Sequence, residues 1–275
     1  MNAPIKTPIA TSFHHRYGPW AVVTGASDGI GREMARAIAK QGVNVVLVAR
    51  REDRLNALAE DIAANHAVGT KVIAADLSGA AGIAHVLDGI VHLDVGLLAA
   101  CAGYGTSGPF LQTDAAAELD MLDVNCRAVL ALTKPLAARM AERRRGGIIL
   151  MSSIVAFQGV ARAANYAATK AYVQVLAEGL REELRPFGVD VLAVAPGPVE
   201  TGFGERADMQ LGNAENPRTV AIQSLKALGR RTTVRPGFLA KALEAALSPL
   251  PRFARVKIMA RVMGGMTKHQ NGKSR

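Results

Sequence analysis

Short apolar runs alternate with helical patterns along most of this chain, and the alternation restricts the fold more than any other feature. Residues 21–24 form an apolar run that ends at Gly25, and a helical pattern with charged residues on its outer face follows. The same order recurs as far as Ala195. Strands that alternate with helices of about ten or more residues form βαβ units, whose right-handed crossovers build a parallel sheet. The sequence therefore predicts an α/β fold with a doubly wound parallel sheet of the Rossmann type.

The individual elements follow from the same patterns. Strands are predicted at residues 21–24, 43–48, 72–75, 95–100, 148–151, 189–195 and 232–235. Helices are predicted before Gly42, at 52–64, up to about residue 91, at about 114–140, and at 164–185, 219–228, 238–247 and 252–263. No linker or low-complexity tract interrupts the series, so a single domain is expected.

Composition excludes several classes of protein. Hydrophobic residues make up 49% and charged residues 20% of the chain, which is too apolar for a disordered protein. No apolar run approaches the ~18 residues of a membrane span, and the first eighteen residues lack the apolar core of a signal peptide. Only Cys101 and Cys126 are present, which excludes a disulfide framework and favours a reducing, cytoplasmic location.

Basic residues are concentrated at the C-terminal end. The net charge is +10, yet residues 1–217 contain 20 Lys/Arg and 22 Asp/Glu, whereas residues 218–275 contain 13 Lys/Arg and one acid, Glu244. Such asymmetry indicates an acidic partner, either a membrane surface or nucleic acid, or else a solvated basic tail. Apolar residues at helical spacing within 238–263 favour peripheral membrane contact or packing on the protein itself.

A glycine-rich turn joins the first strand to the first helix. Residues 24–31 read Thr-Gly-Ala-Ser-Asp-Gly-Ile-Gly, in which the glycines are spaced Gly-x-x-x-Gly-x-Gly. Glycines in such a turn let the backbone approach a pyrophosphate, whose charge is stabilised at the helix N-terminus. An ordinary strand–helix turn is the alternative, but the position at the first βα junction favours a dinucleotide site.

The end of the second strand indicates which dinucleotide binds. An acid there would bind the ribose 2′-hydroxyl of NAD, whereas arginine accommodates the 2′-phosphate of NADP. Ala49 is followed by Arg50 and Arg51, so NADP(H) is predicted. Arg51 is also consistent with the start of a solvated helix. Asp76, at the end of the third strand, is expected either to bind the adenine or to cap a helix.

Three side chains are candidates for acid–base chemistry. Tyr166 and Lys170 are four residues apart on one predicted helix and therefore share a face, and Ser153 follows a strand at the edge of the sheet where such folds bind ligands. Because a phenol has a pKa of about 10, a neighbouring Lys170 is expected to lower it. Ser153 would then bind a substrate oxygen while Tyr166 transfers the proton.

Taken together, these features resemble the short-chain dehydrogenase/reductase family. The resemblance extends over about residues 20–235 and rests on the following: 24–31, Asp76, Ala102-Gly103, Asn125, Ser153, Tyr166, Lys170 and 196–201. It implies an oxidoreductase that moves hydride between a nicotinamide and a carbonyl/alcohol carbon. The ending of the chain is more similar to the broad-specificity branch that includes ketoacyl- and steroid-type reductases.

The resemblance also assigns roles. Asn125 joins the catalytic set of Ser153, Tyr166 and Lys170 by holding a water in a proton relay, and Lys170 also binds the nicotinamide ribose. The two long helices at about 114–140 and 164–185 are implied to form a homodimer or homotetramer. The predicted cofactor-binding residues are Gly25, Ser27, Asp28, Gly29, Ile30, Gly31, Arg50, Arg51, Asp76, Leu77, Ala102, Gly103, Tyr166, Lys170, Pro196, Gly197, Val199 and Thr201.

The domain is predicted to have three parts. Residues 1–19 are expected to be a flexible N-terminal segment and 20–237 the catalytic domain, in which about 197–217 form a mobile substrate lid. Residues 238–275 are a basic amphipathic extension of the same domain. Cys101 stands where the family usually has asparagine, which puts the rigidity of that strand end in doubt. The residues expected to face substrate are mostly apolar: Tyr104, Ile154, Val155, Phe157, Phe203, Met209 and Leu211.

The favoured function is therefore NADP(H)-dependent interconversion of a carbonyl and an alcohol on a small apolar substrate. The alternative is a nonenzymatic NADPH-binding sensor or scaffold, although the joint presence of the four catalytic candidates disfavours it. No metal site is predicted. A nucleic-acid partner is not predicted either, because the basic end has one aromatic, Phe253, after Phe238 and offers no base-stacking platform.

Overall fold

All seven predicted strands are confirmed in the computed structural model, which describes residues 12–272. The strands are β1 (Trp20–Thr24), β2 (Asn44–Ala49), β3 (Thr70–Ala74), β4 (Val95–Ala100), β5 (Gly146–Met151), β6 (Val189–Val194) and β7 (Thr233–Val234). They form one sheet in the order β3-β2-β1-β4-β5-β6-β7, and every neighbouring pair is parallel.

Helices connect the strands and cover both faces of the sheet. They are α1 (Ser12–Tyr17), α2 (Gly29–Ala39), α3 (Glu52–Asn65), α4 (Ala80–Gly89), α5 (Ala115–Leu122), α6 (Ala128–Glu142), α7 (Ala164–Leu184), α8 (Phe203–Arg206), α9 (Pro217–Ala227), α10 (Phe238–Leu247) and α11 (Arg252–Met266). Among the described residues, no helix is both long and apolar enough to cross a membrane.

The continuous apolar character of the strands reflects burial on both faces. In β1, Ala21 and Val23 pack with α2, α3 and α9, whereas Val22 packs with α4, α6 and α7 on the other side. Every residue of β4 and β5 is buried. A strand that is covered on both faces has no polar side, which is why these segments lack the alternation of a half-exposed strand.

The order of the strands determines where a ligand can bind. From β1 the chain moves outward through β2 to β3, then returns to place β4 on the other side of β1. The two connections leave β1 and β4 in opposite directions, so a crevice opens between their carboxyl ends. The glycine turn after β1 and residues 101–104 after β4 both lie at this crevice.

Within the N-terminal segment that was expected to be flexible, residues 12–17 form helix α1. Tyr17 is buried, and its hydroxyl donates a hydrogen bond to the Asp190 carboxylate at 2.7 Å. Arg16 forms an ion pair with the same carboxylate at 2.7 Å. These contacts attach α1 to β6, a long-range pairing that the local sequence does not reveal. Residues 1–11 lie outside the described residues.

The predicted long helix at 114–140 is interrupted by a π-helical segment. Helix α5 ends at Leu122, residues Asp123–Arg127 form the π segment, and α6 continues from Ala128. A π segment adds a residue to one turn and frequently marks a functional site, because it redirects side chains within the helix. Here it contains Asn125, one of the four catalytic candidates.

Candidate active site

The glycine turn lies tightly against its neighbours, and this contact explains its glycines. Gly25 has φ +68°, and a Cβ there would lie 2.9 Å from the Ala102 Cα atom. A Cβ on Gly31 would lie 2.2 Å from the carbonyl oxygen of Gly25. Gly29 has φ +50°, and its Cβ would lie 2.5 Å from Thr201 Cγ2. Side chains at these positions would push the turn away from β4 and from residues 197–217.

Arginines after β2 contact this turn directly. The Arg51 guanidinium donates to the Ser27 hydroxyl at 3.1 and 3.3 Å and lies 3.6 Å from the Asp28 carboxylate. Arg51 is therefore part of the cleft rather than only the start of a solvated helix. Arg54 lies 3.9 Å from Asp28 and also lines the cleft, which the sequence prediction missed. The sequence did contain a signal for Arg54. It lies on α3 three residues after Arg51, a spacing that places the two arginines on the same side of the helix.

Asp76 stabilises the loop after β3 and does not cap a helix. Its carboxylate accepts a hydrogen bond from the backbone N–H of Ser78 at 3.0 Å, whereas the N-cap of α4 is Gly79. This backbone hydrogen bond lowers the pKa of Asp76, and the charges of Arg50 and Arg206 lower it further. The carboxylate thus remains an ionised acceptor at the cleft, where an adenine amino group could donate to it.

Thr24 holds the residues that follow β4 against β1. The backbone N–H of Ala102 donates to the Thr24 hydroxyl at 3.0 Å, which ties β4 to β1 next to Cys101. The effect of Cys101 on the rigidity of this strand end stays an open expectation. Burial raises the pKa of the Cys101 thiol to about 12, so the thiol stays protonated and unreactive at neutral pH.

Gly103 lies next to two of the catalytic candidates and leaves room for both. A Cβ at this position would lie 2.9 Å from Asn125 Oδ1 and 3.2 Å from Lys170 Nζ. Any side chain here would displace one or both groups. Gly103 therefore allows the Asn125 amide and the Lys170 ammonium to approach the same stretch of backbone after β4.

Asn125 is fixed by three hydrogen bonds. Its amide nitrogen donates to the Tyr104 carbonyl at 2.8 Å and to the Thr169 hydroxyl at 3.0 Å, while its amide oxygen accepts from the Tyr104 N–H at 3.1 Å. The side chain is thus held between the loop after β4 and helix α7. Its predicted relay through a water remains a prediction.

Ser153, Tyr166 and Lys170 are all buried around the end of β5. Ser153 lies two residues after the end of β5, and Tyr166 and Lys170 lie one turn apart on α7. Lys170 Nζ donates to the Met151 carbonyl at 2.9 Å and lies 5.8 Å from the centroid of the Tyr166 ring. The structure brings the three side chains together, and their catalytic roles stay predictions.

The electrostatics of the tyrosine differ from the expectation. Burial raises the pKa of Tyr166 to about 12, and its hydrogen bond with Ser153 offsets only part of that rise. Burial also lowers the pKa of Lys170 to about 8. The pKa of Tyr166 is therefore raised rather than lowered, because burial dominates it. The expected lowering by the Lys170 charge stays a prediction. At neutral pH the phenol is protonated, which suits a proton donor.

A cavity of about 720 Å³ connects the glycine turn with the catalytic candidates. Every predicted cofactor-binding residue lines it, as do Ser153, Tyr166 and Lys170, whereas Asn125 lies behind Gly103. All of the predicted substrate-facing residues except Phe157 line it as well. The prediction for Phe157 is wrong, because its ring packs beneath the Arg235 guanidinium at 4.4 Å.

Helices α10 and α11 supply an apolar wall that sequence reasoning did not assign to the cavity. Their lining residues are Leu239, Leu243, Met259, Val262, Met263 and Met266. The available signal was the methionine spacing on α11, at i, i+4 and i+7, which places three flexible apolar side chains on one face.

The predicted lid at 197–217 is attached to the surrounding structure on several sides. Phe203 packs on the Tyr166 ring with the centroids 5.3 Å apart, and the Arg206 guanidinium stacks 3.7 Å from the Tyr104 ring centroid. The Ser107 hydroxyl donates to the Ala207 carbonyl at 2.6 Å. The segment thus lies directly over the catalytic tyrosine candidate, and its mobility stays a prediction.

The parallel sheet, its crevice and the glycine turn define the class of α/β dinucleotide-binding proteins, and the buried Ser153, Tyr166 and Lys170 narrow that class further. A family model described as short chain dehydrogenase matches residues 19–211. The chain belongs to the short-chain dehydrogenase family.

Individual relatives extend the comparison. The chain is 35% identical over 223 residues to a very-long-chain 3-oxoacyl-CoA reductase of Phaeosphaeria nodorum, covering 78% of this chain but only 64% of that relative. It is similar in structure to a 7β-hydroxysteroid dehydrogenase (TM-score 0.84, 26% identity, 90% of this chain and 99% of the other). A short-chain dehydrogenase from Sphingobium yanoikuyae in complex with NADPH is also similar (TM-score 0.75, 31% identity, 84% and 94% covered).

Proposed function

We propose that this protein is an NADP(H)-dependent oxidoreductase that interconverts a carbonyl and an alcohol on an apolar substrate, with Tyr166 as the acid–base group. The observation that carries the proposal is the burial of Ser153, Tyr166 and Lys170 at one end of a cavity whose other end is the glycine turn. Both cysteines are free, which is consistent with a reducing, cytoplasmic compartment.

The residues of the cleft fit NADP(H). Gly25, Gly29 and Gly31 place no side chain between the cleft and their own backbone at the start of α2, where a diphosphate is stabilised by backbone N–H groups. At the other side, Arg50, Arg51 and Arg54 line the cleft where β2 ends, and Ala49 supplies no carboxylate to repel a 2′-phosphate. When bound, the cofactor supplies the hydride.

The chain's own residues account for the proton. In the direction of reduction, the protonated Tyr166 hydroxyl donates its proton to the substrate oxygen as negative charge develops there. Ser153 donates a hydrogen bond to the same oxygen. The Lys170 ammonium stabilises the tyrosinate that forms, and the fixed Asn125 amide supports the path that returns a proton to the site.

The substrate is apolar and extended in this proposal. Beyond Tyr166 the cavity continues between residues of the lid, such as Met209 and Leu211, and the aliphatic wall of α10 and α11. Apolar walls with polar groups only at the reacting end favour an acyl chain or a fused-ring ketone over a sugar. The named activities of the two relatives above, on a 3-oxoacyl-CoA and on a hydroxysteroid, are consistent with this class.

Turnover distinguishes this function from a nonenzymatic sensor. NADPH oxidation is measured with a panel of long-chain 3-oxoacyl thioesters, steroid ketones and short polar ketones. The expected result is turnover that increases with the apolar surface of the substrate. NADPH binding without turnover of any member would support the sensor or scaffold alternative.

Replacing the arginines of the cleft should weaken NADPH selectively. Arg50→Ala and Arg51→Ala should each raise the Kd for NADPH by about 10- to 100-fold, because a charge-assisted hydrogen bond contributes about 1.5–3 kcal/mol. The Kd for NADH should change little. Fluorescence titration of both cofactors measures the effect, with the exposed Arg185→Ala as control. Equal losses for both cofactors would contradict the assignment.

Reduction should decline as the pH rises above about 8. Burial lowers the pKa of Lys170 to about 8, so its ammonium charge is lost over this range, while the Tyr166 phenol, with a pKa near 12, stays protonated. The measurement is kcat/KM for reduction from about pH 6 to about pH 10. A profile that stays flat over that range would show that the charge of Lys170 is not required.

We propose that the protein is a homo-oligomer whose subunits contact each other through the two long helical runs, α5–α6 and α7. Leu119 and Leu130 on α5 and α6, and Tyr172 and Val175 on α7, are large apolar side chains exposed to solvent. Val175→Asp should convert a dimer or tetramer into monomers, because it introduces charge into a desolvated contact. Light scattering after gel filtration measures this, with Val91→Asp as the control at another exposed valine. A monomeric wild-type protein would contradict the proposal.

A further inference from the structure

The helix pair α10–α11 has two different faces. The inner face lines the cavity through Leu239 and Leu243 on α10 and through Met259, Met263 and Met266 on α11. Some of the apolar residues that occur at helical spacing in the sequence therefore line the cavity. Ala240, Met259 and Met263 are buried.

The outer face carries exposed aromatic and basic side chains. Phe238 on α10 is 84% exposed, and Phe253 on α11 is 67% exposed. Phe253, Lys257 and Arg261 recur at i, i+4 and i+8 and share one side of α11, opposite the methionines. Lys241 lies one turn from Phe238 on α10 and is also exposed. These five residues, Phe238, Lys241, Phe253, Lys257 and Arg261, form the basic–aromatic surface.

The charge of this surface is not neutralised within the described part of the chain. Glu244, the one acid in residues 218–275, forms an ion pair with Arg235 at 2.7 Å. No ion pair among residues 12–272 involves Lys241, Lys257 or Arg261. Exposed phenylalanines beside unpaired cations are the combination by which an interfacial helix binds anionic lipid.

We propose that the basic–aromatic surface docks on an anionic lipid bilayer, with Phe238 and Phe253 inserted among the headgroups and the three bases facing lipid phosphates and carboxylates. The purpose of this docking rests on the proposed function. The opposite face of the same helices lines the substrate cavity, so docking holds that cavity beside the membrane. An apolar substrate would then reach the cavity from the membrane.

Two other occupants fit less well. A second copy of this surface would bring like charges together, which opposes self-association through this face. A nucleic acid requires a basic groove with several stacking aromatics. Here the two phenylalanines lie on different helices and the bases project from a helix exterior.

Vesicle flotation tests the docking. The probes are phosphatidylcholine vesicles with and without phosphatidylserine, at low and high salt. The wild-type protein should float with the anionic vesicles only, and less at high salt. Lys257→Glu/Arg261→Glu should weaken the partition by about 25-fold or more, because each base near an anionic surface strengthens binding about fivefold. Phe238→Ser/Phe253→Ser should weaken it without changing its salt dependence.

Controls separate docking from folding and from catalysis. Phe187→Ser and Arg185→Glu alter exposed residues elsewhere and should float as the wild type does. Thermal melts should be unchanged, and turnover of a water-soluble ketone should be unaffected, since none of the five residues lines the cavity. Flotation without turnover of any ketone would contradict the proposed function but not the docking.

Three results would overturn the docking itself. These are no flotation with anionic vesicles at low salt, equal flotation of the two double variants and the wild type, and tighter binding of a single-stranded RNA oligomer than of anionic vesicles in a direct competition.

Discussion

Tyr166→Phe should reduce kcat for carbonyl reduction by about 10²- to 10⁴-fold, which is the contribution of a positioned general acid. The substitution removes a phenol hydroxyl that is buried beside Ser153 and protonated at neutral pH, and it removes almost no volume. The contact of the ring with Phe203 should persist. Affinity for NADPH should therefore remain within about twofold of the wild type, as fluorescence titration would measure.

Tyr172→Phe is the matched control. Tyr172 lies on the same helix but is exposed, so its hydroxyl is away from the cavity, and the variant should retain wild-type kcat. A Tyr166→Phe variant that kept substantial reduction would mean that another group supplies the proton, and the assignment of Tyr166 would be wrong.

Lys170→Met should reduce both turnover and cofactor affinity, each by about 10- to 100-fold, the cost of a lost charge-assisted hydrogen bond. Methionine has a similar length but no charge. The proposed stabilisation of the tyrosinate and the implied contact with the nicotinamide ribose would be lost together. Steady-state kinetics and NADPH titration measure the two effects separately.

The stability of this variant provides the internal control. Burial lowers the folded-state pKa of Lys170, so the charged form opposes folding at neutral pH, and this cost disappears only as the pH rises above about 8. A neutral side chain of similar size should therefore leave the melting temperature unchanged or raise it, apart from the lost hydrogen bond to Met151. A fall in activity that tracked a fall in stability would indicate a structural role only. Lys134→Met, on the exposed side of α6, is the comparison variant.

The sheet was predictable because burial on both faces leaves an unmistakable pattern. Segments such as 95–100 contain no polar residue, and each lies between helical patterns with charged outer faces. Parallel order then follows from the crossovers. The site was predictable for the same reason, since the carboxyl ends of the strands bring Gly25, Gly103 and Ser153 to one edge of the sheet.

Other features depend on contacts that local sequence does not specify. The π segment at Asp123–Arg127 leaves the apolar spacing of the helix almost unchanged, so its effect on Asn125 becomes visible only in three dimensions. The position of α1 depends on Asp190, which is more than 170 residues away in the chain. The pKa of Tyr166 is raised by burial and lowered in part by the hydrogen bond with Ser153, and spacing along a helix reveals neither.

The C-terminal helices illustrate a further limit. Apolar spacing identified α10 and α11 as amphipathic, but it could not show what the apolar side faces. In the structure part of this side lines the cavity, while the apolar ring of Phe253 lies on the outer face. The apolar residues of α11 thus face two different surroundings, because the methionines face the cavity and Phe253 faces the solvent.

Hydride transfer itself is the most direct test of the account. The protein would be given an apolar ketone and NADPH in which both hydrogens on the hydride-donating carbon are deuterium, and the product would be analysed by mass spectrometry. The account predicts an alcohol with one deuterium on the carbinol carbon, formed by the wild type and by Tyr172→Phe but not by Tyr166→Phe. Tight binding of the labelled cofactor with no deuterium in any product would contradict it.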